Sequence, residues 1–173
     1  MGMFTSFMPL HAEGQGLDVG QIGIVFSAQG LCNGASRIPF GRLSDRVKRR
    51  STLVVFGIVL YGIALLGCGA AASPGFFVLS ASLLGIGLGL AFTSIGALIV
   101  EVVPAKSRGS AIGGYNTCIY LGMMMSSAIM GPVCEDFGFA AGFYLTAAAN
   151  LLLLAVFYWL VKDFSIGREA EEG

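Results

Sequence analysis

Charge is what this chain lacks. Ten basic and ten acidic side chains in 173 residues make it 12% charged, against about 25% in an ordinary soluble domain whose surface must face water. So few ionisable groups cannot cover a globule of this length, and a water-soluble enzyme domain is excluded. The formal net charge is zero, so no basic face is offered to nucleic acid. Only one histidine is present, too few for the common catalytic and zinc motifs, and a GxxxxGK[ST] phosphate loop is missing. No catalytic residue and no cofactor is expected. Cys32, Cys68, Cys118 and Cys134 show no CxxC spacing and read as small apolar packing residues, with no metal site. Disorder is excluded by abundance, because the chain is 55% hydrophobic and 11% aromatic where disordered chains are poor in both. The solvent left for such a surface is lipid.

The few charges are placed with regularity. Residues 51–72, 74–100, 109–134 and 137–161 contain none, and residues 19–36 form a fifth such run closed by Arg37. About 20 apolar residues cross a hydrocarbon core of about 30 Å as a helix, whereas buried strands end after about four to eight. A sixth apolar segment, residues 1–10, is short: extended as a helix to Ala12 it reaches only about 18 Å. It has neither a basic residue before it nor a small-residue cleavage pattern after it, as a signal peptide would. It reads as a helix whose first half is missing, the rival being a short interfacial or re-entrant start. The expected fold class is therefore all-α, a polytopic transmembrane bundle of six helices. They fall near residues 1–12, 19–40, 51–72, 75–100, 109–132 and 138–161, with 162–173 a short polar tail.

The connections alternate in sign. Residues 11–20 carry Glu13 and Asp18, and residues 133–138 carry Glu135 and Asp136, with no Lys or Arg in either. On the other side lie Arg42, Arg46, Lys48, Arg49 and Arg50, then Lys106 and Arg108, then Lys162 and Arg168. Basic loops stay in the cytoplasm, so both termini are expected there, in the lipid bilayer of the plasma (inner) membrane. That requires an even number of spans and supports counting the first segment.

Within the spans, small and polar residues carry the information. Helices in lipid approach one another through small residues. Gly30 with Gly34, Ala81 with Gly85 and Gly89 (Gly87 beside them), and Gly109 with Gly113 are the expected contact positions. Intramembrane polar groups are costly and face a neighbouring helix or a watery path. Gln29, Asn33 and Arg37 recur every four residues and share a face, and Arg37 lies near enough to the cytoplasmic end to snorkel. Asn116, Thr117 and Tyr120 on the fifth helix and Asn150 on the sixth are further path candidates, or else interhelical hydrogen-bond partners. Asp45 and Glu101 both sit at the cytoplasmic boundary, so no carboxylate relay is expected at mid-depth. His11 reads as an interface residue at the outer end of the first segment.

One loop resembles a known family. Gly41-Arg42-Leu43-Ser44-Asp45-Arg46-Val47-Lys48-Arg49-Arg50 is similar to the G-x-L-x-D-R-x-G-R-R signature of the major facilitator superfamily, which joins helices 2 and 3 of a half-transporter. Gly41, Leu43, Asp45, Arg46, Arg49 and Arg50 match, and Lys48 stands where the pattern prefers glycine. Pro104, Arg108 and Gly109 resemble the family's approach to helix 5, and Gly131-Pro132 the end of that helix. The antiporter pattern G-x-x-x-G-P-x-x-G-G is half kept, with Ser127, Glu135 and Asp136 replacing glycines. Its loss, the shortened first helix and the polar chain end point to a C-terminal half; the well-kept loop points the other way.

The resemblance implies one of two six-helix bundles related by an axis along the membrane normal. It also implies a cytoplasmic latch in which Asp45, Arg42 and Arg46, with Glu101, engage the other half; the rival is that these charges set topology and bind anionic lipid. The implied partners are a small-molecule solute and a complementary six-helix half or a second copy of the chain. The rival from another class is a non-transporting membrane protein, either a regulatory partner or an inert truncated remnant.

Overall fold

The computed structural model describes residues 1–46 and 50–171, without the side chains of 43–46, 50–51, 157–158 and 160–171. Six helices follow one another: α1 Gly2–Gly14, α2 Val19–Arg46, α3 Arg50–Ala70, α4 Pro74–Val102, α5 Arg108–Phe137 and α6 Phe139–Glu171. A short 3-10 turn, Ala105–Ser107, leads into α5, and no strand occurs among the described residues.

Local chemistry sets the helix starts. Asp18 accepts a hydrogen bond from the Gln21 backbone N–H at 2.8 Å, while the Gln21 side chain accepts one from the Asp18 N–H at 3.1 Å. This reciprocal capping box satisfies two otherwise orphaned donors and launches α2. At α4, Pro74 takes the first helical position, where its missing N–H has no intrahelical partner to lose. Gly138, with φ +83°, makes the tight reversal from α5 to α6 that a residue bearing a β-carbon resists.

The ends run further than the proline positions suggest. α2 continues past Pro39 to Arg46, and α5 past Pro132 to Phe137. Proline removes one ladder bond, which neighbouring helices and local adjustments make good in a membrane bundle. α6 stays helical through Glu171, taking in most of the stretch read as a polar tail.

Among the described residues, four helical stretches are long and apolar enough to span a bilayer: 52–70, 74–102, 105–137 and 139–156. Five were expected on charge-free length. α2 has the length, but Gln21, Gln29, Asn33, Ser36 and Arg37 make it the most polar of the long helices.

The core is built mainly by α1, α3, α4 and α6, joined by Val25 of α2 and Cys134 of α5. Met3, Phe4, Met8 and Ala12 of α1 are buried against Leu65 and Cys68 of α3, Phe77, Ala81 and Leu84 of α4, and Phe143 and Ala147 of α6. Phe4 also meets Phe26 of α2, ring centroids 5.2 Å apart. The short α1 is thus an integral part of the packing.

Glycine sets the closest approaches. A β-carbon on Gly85 would strike the carbonyl oxygen of Gln29 and lie 3.0 Å from the Asn33 nitrogen; one on Gly89 would lie 2.9 Å from the Asn33 oxygen. The next face of α4 does the same to α3, where a β-carbon on Gly87 would lie 2.8 Å from the Tyr61 nitrogen and 2.9 Å from the Gly57 oxygen. α4 therefore holds α2 and α3 backbone to backbone. Gly30, Gly34, Gly109 and Gly113 behave differently: an added β-carbon at any of them would meet nothing within 4 Å. Their expected contacts are not made within this bundle, because the faces that carry them point away from it.

Candidate functional site: a cavity between the second and fifth helices

Arg37 is brought to α5 across a cavity of about 400 Å³. Its lining is Arg37 of α2, Phe92 of α4, Tyr115, Asn116, Ile119, Tyr120 and Met123 of α5, and Met1. The α5 contribution is a single stripe at helical spacing. Arg37, Asn116 and Tyr120 are exposed, Tyr120 at 71%, so the cavity is open rather than enclosed.

Two contacts fix the guanidinium. One helical turn back, the Oδ1 of Asn33 accepts a hydrogen bond from Arg37 Nε at 3.1 Å. The guanidinium carbon also stands 5.9 Å from the centroid of the Phe92 ring, within the range where a cation is attracted to an aromatic face. Among the described residues Arg37 is the one charged side chain in the lining, and no carboxylate faces it there.

The other expected path residues are placed as follows. Asn33 acts behind Arg37 and is not part of the lining. Gln29 is half-buried where α2 presses on Gly85, away from the cavity. Asn150 does not reach it either: its Nδ2 donates to the Ile58 carbonyl at 3.1 Å and ties α6 to α3. Thr117 returns its hydroxyl to the Gly113 carbonyl of its own helix at 3.0 Å. Tyr115, Ile119 and Met123 could have been found in the sequence from their spacing to Asn116 and Tyr120. Phe92 gave no such signal.

The loop motif lies at the junction of α2 and α3. Gly41 sits beside α4, where a β-carbon would touch Thr93 at 3.8 Å, and Arg42 is exposed. Leu43, Asp45 and Arg46 fall on the last turns of α2 and Arg50 begins α3, their side chains lying outside those described. Arg49, with Val47 and Lys48, lies outside the described residues. Glu101 is exposed on the last turn of α4.

His11 does not lie at the surface its position suggested. It is 5% exposed, with the rings of Phe77 and Phe143 each 5.5 Å away and Phe139 at 6.4 Å. Its Nε2 has no hydrogen-bond partner.

Residues 1–172 match the family model described as the Major Facilitator Superfamily. The chain is 29% identical over 156 residues to a Pseudomonas aeruginosa protein described as an uncharacterized MFS-type transporter, covering 90% of this chain and 38% of that one. It is 23% identical over 172 residues to a similarly described protein of Methanocaldococcus jannaschii, covering 99% and 44% respectively. The chain thus spans less than half the length of these relatives.

Proposed function

The chain belongs to the major facilitator superfamily, and from that premise we propose that it works as one six-helix half of a secondary transporter. A small solute crosses by alternating access as this bundle rocks against a complementary half or a second copy of the chain. The observation that carries the reading is where the cavity opens. Arg37 lies seven residues beyond Gly30, and Asn116 and Tyr120 lie seven beyond Gly109 and Gly113, so each pair nearly shares a face at about 3.6 residues per turn. The uncontacted glycines and the polar lining therefore look out from the same side. A lining that holds a cation and neutral polar groups is costly against hydrocarbon, while small residues suit close approach by another helix. A second bundle on that side satisfies both.

In this reading Gly41, Arg42, Leu43, Asp45, Arg46, Arg49 and Arg50 form the cytoplasmic latch together with Glu101, and both termini lie in the cytoplasm of a cell whose plasma (inner) membrane holds the protein. Arg37, Asn116 and Tyr120 belong to the solute path, with Asn33 holding Arg37 from behind; Gln29 and Asn150 serve packing. The test is solute uptake into liposomes carrying the chain together with its complementary half. Uptake is expected, and Asp45→Asn should abolish it with helicity and monodispersity unchanged. Wild-type turnover by Asp45→Asn would refute the latch, and flat uptake across a broad solute panel would favour a regulatory protein over a transporter.

A further inference from the structure

The lining of the cavity speaks to the kind of solute. A guanidinium carries five N–H donors in a fixed planar fork. Asn33 engages the Nε–H, and the lining offers the rest only neutral groups, the Tyr115 and Tyr120 hydroxyls and the Asn116 amide. No carboxylate lines the cavity among the described residues. Among the described residues Arg37 is the charged side chain of this lining, held in place by Asn33 and Phe92.

The remaining lining is of opposite character. Phe92, Ile119, Met123 and the two tyrosine rings surround the cation with aromatic and aliphatic surface. A volume of about 400 Å³ falls inside the roughly 300–1,000 Å³ of small-molecule sites. A bare inorganic ion would leave most of that apolar surface unused. An anionic group that offers two oxygens side by side matches the fork in two hydrogen bonds, and an attached apolar or aromatic body fills the rest.

We propose that this cavity binds a small amphiphilic organic monoanion, a carboxylate or sulfonate on an aromatic or branched aliphatic body, with Arg37 taking the anionic oxygens. The proposal rests on the reading of the α2–α5 cavity as the solute path. The same oxyanion chemistry has a second source, the headgroup of an acidic lipid, and the test separates them.

The probes are benzoate and benzenesulfonate, with benzylammonium and benzyl alcohol as cationic and neutral counterparts of similar shape. Equilibrium binding is measured on the protein in nanodiscs of neutral phosphatidylcholine. Both anions are expected to bind at least tenfold more tightly than the cation or the alcohol. Arg37→Gln should weaken them at least tenfold and Arg37→Lys by less, because a point charge keeps the attraction but loses the fork. Charge selectivity in the unaltered protein keeps the proposal falsifiable should Arg37→Gln misfold. Equal binding of all four probes, undiminished anion binding by folded Arg37→Gln, or no anion binding at all overturns it. Repeating the titration with phosphatidylglycerol in the disc assigns the source: benzoate affinity stays within about twofold for a solute site and collapses for a headgroup site. Binding needs no turnover, so absent transport with intact anion binding sinks the transporter reading alone. Transport of benzylammonium without anion binding sinks only the anion.

Discussion

Replacing Gly87 by alanine is the sharpest test of how the bundle is held together. The new β-carbon would lie 2.8 Å from the Tyr61 nitrogen, 2.9 Å from the Gly57 oxygen and 3.2 Å from the Tyr61 α-carbon. All three are backbone atoms and cannot turn aside as a side-chain tip can. Ordinary contact begins at 3.4 Å, so α3 and α4 must separate by roughly half an ångström along their shared face. A radial gap of about 0.5–1 Å forfeits a quarter to a half of each pairwise attraction, and overpacking of this kind typically costs about 1–3 kcal/mol. Against it stands the gain of alanine over glycine in a helix, about 1 kcal/mol. The net expectation is a loss of up to about 2 kcal/mol. Gly30→Ala supplies the control, since its β-carbon meets nothing within 4 Å; only the propensity gain remains, and stability should hold or rise by up to about 1 kcal/mol. The assay is reversible unfolding in mixed micelles titrated with denaturing detergent, followed by helicity. If Gly87→Ala is as stable as Gly30→Ala, glycine does not set the α3–α4 distance and the argument fails.

Three further outcomes are expected. Asn150→Ala removes the hydrogen bond to the Ile58 carbonyl and should cost about 0.6–1.7 kcal/mol in the same unfolding assay, with solute affinity unchanged; altered affinity would return Asn150 to the path. Asp18→Ala breaks the capping box at the head of α2 and should cost about 0.5–2 kcal/mol, whereas Asp18→Asn, which keeps the acceptor, should lose little. Gly34→Leu adds bulk to an uncontacted face, so the isolated bundle should unfold as before while transport with the second half falls by tenfold or more; undiminished transport would place the partner elsewhere.

How much of this was readable beforehand depends on whether the information is local. Four of the five spans expected from charge-free length are there, while the start of α2 rests on a reciprocal Asp18–Gln21 cap that the charge pattern does not single out. The Gly85–Gly89 ladder was visible as a spacing and is used as one. Gly30–Gly34 shows the same spacing and touches nothing, because a small stripe says that a face is close-packable without saying what packs on it. Gln29, Asn33 and Arg37 were grouped by a shared helical face, yet only Arg37 reaches the cavity. Rotating the helix by a few tens of degrees decides that, and its orientation is set by Gly85 and Gly89 on another helix. Asn150 and His11 have destinations fixed by α3 and by three phenylalanines from α4 and α6, which no spacing within their own helices encodes.

The glycine seams on α4 have a mechanical consequence. Helices α2, α3 and α4 touch through backbone and should move as one stiff plate. α5 is held otherwise: only 6% of its span is buried in the bundle, against 44% for α3 and for α4. The cavity thus has one rigid wall, which carries the guanidinium, and one less buried wall that meets the bundle through α1, where Gly2 lies against the Met123 carbonyl and the Ser6 and Ser127 hydroxyls stand 2.8 Å apart. Such a vessel is expected to be exacting about the charge of its guest and tolerant of its length. Homologous solutes differing by a methylene or two should then be distinguished far less than an acid from its amide.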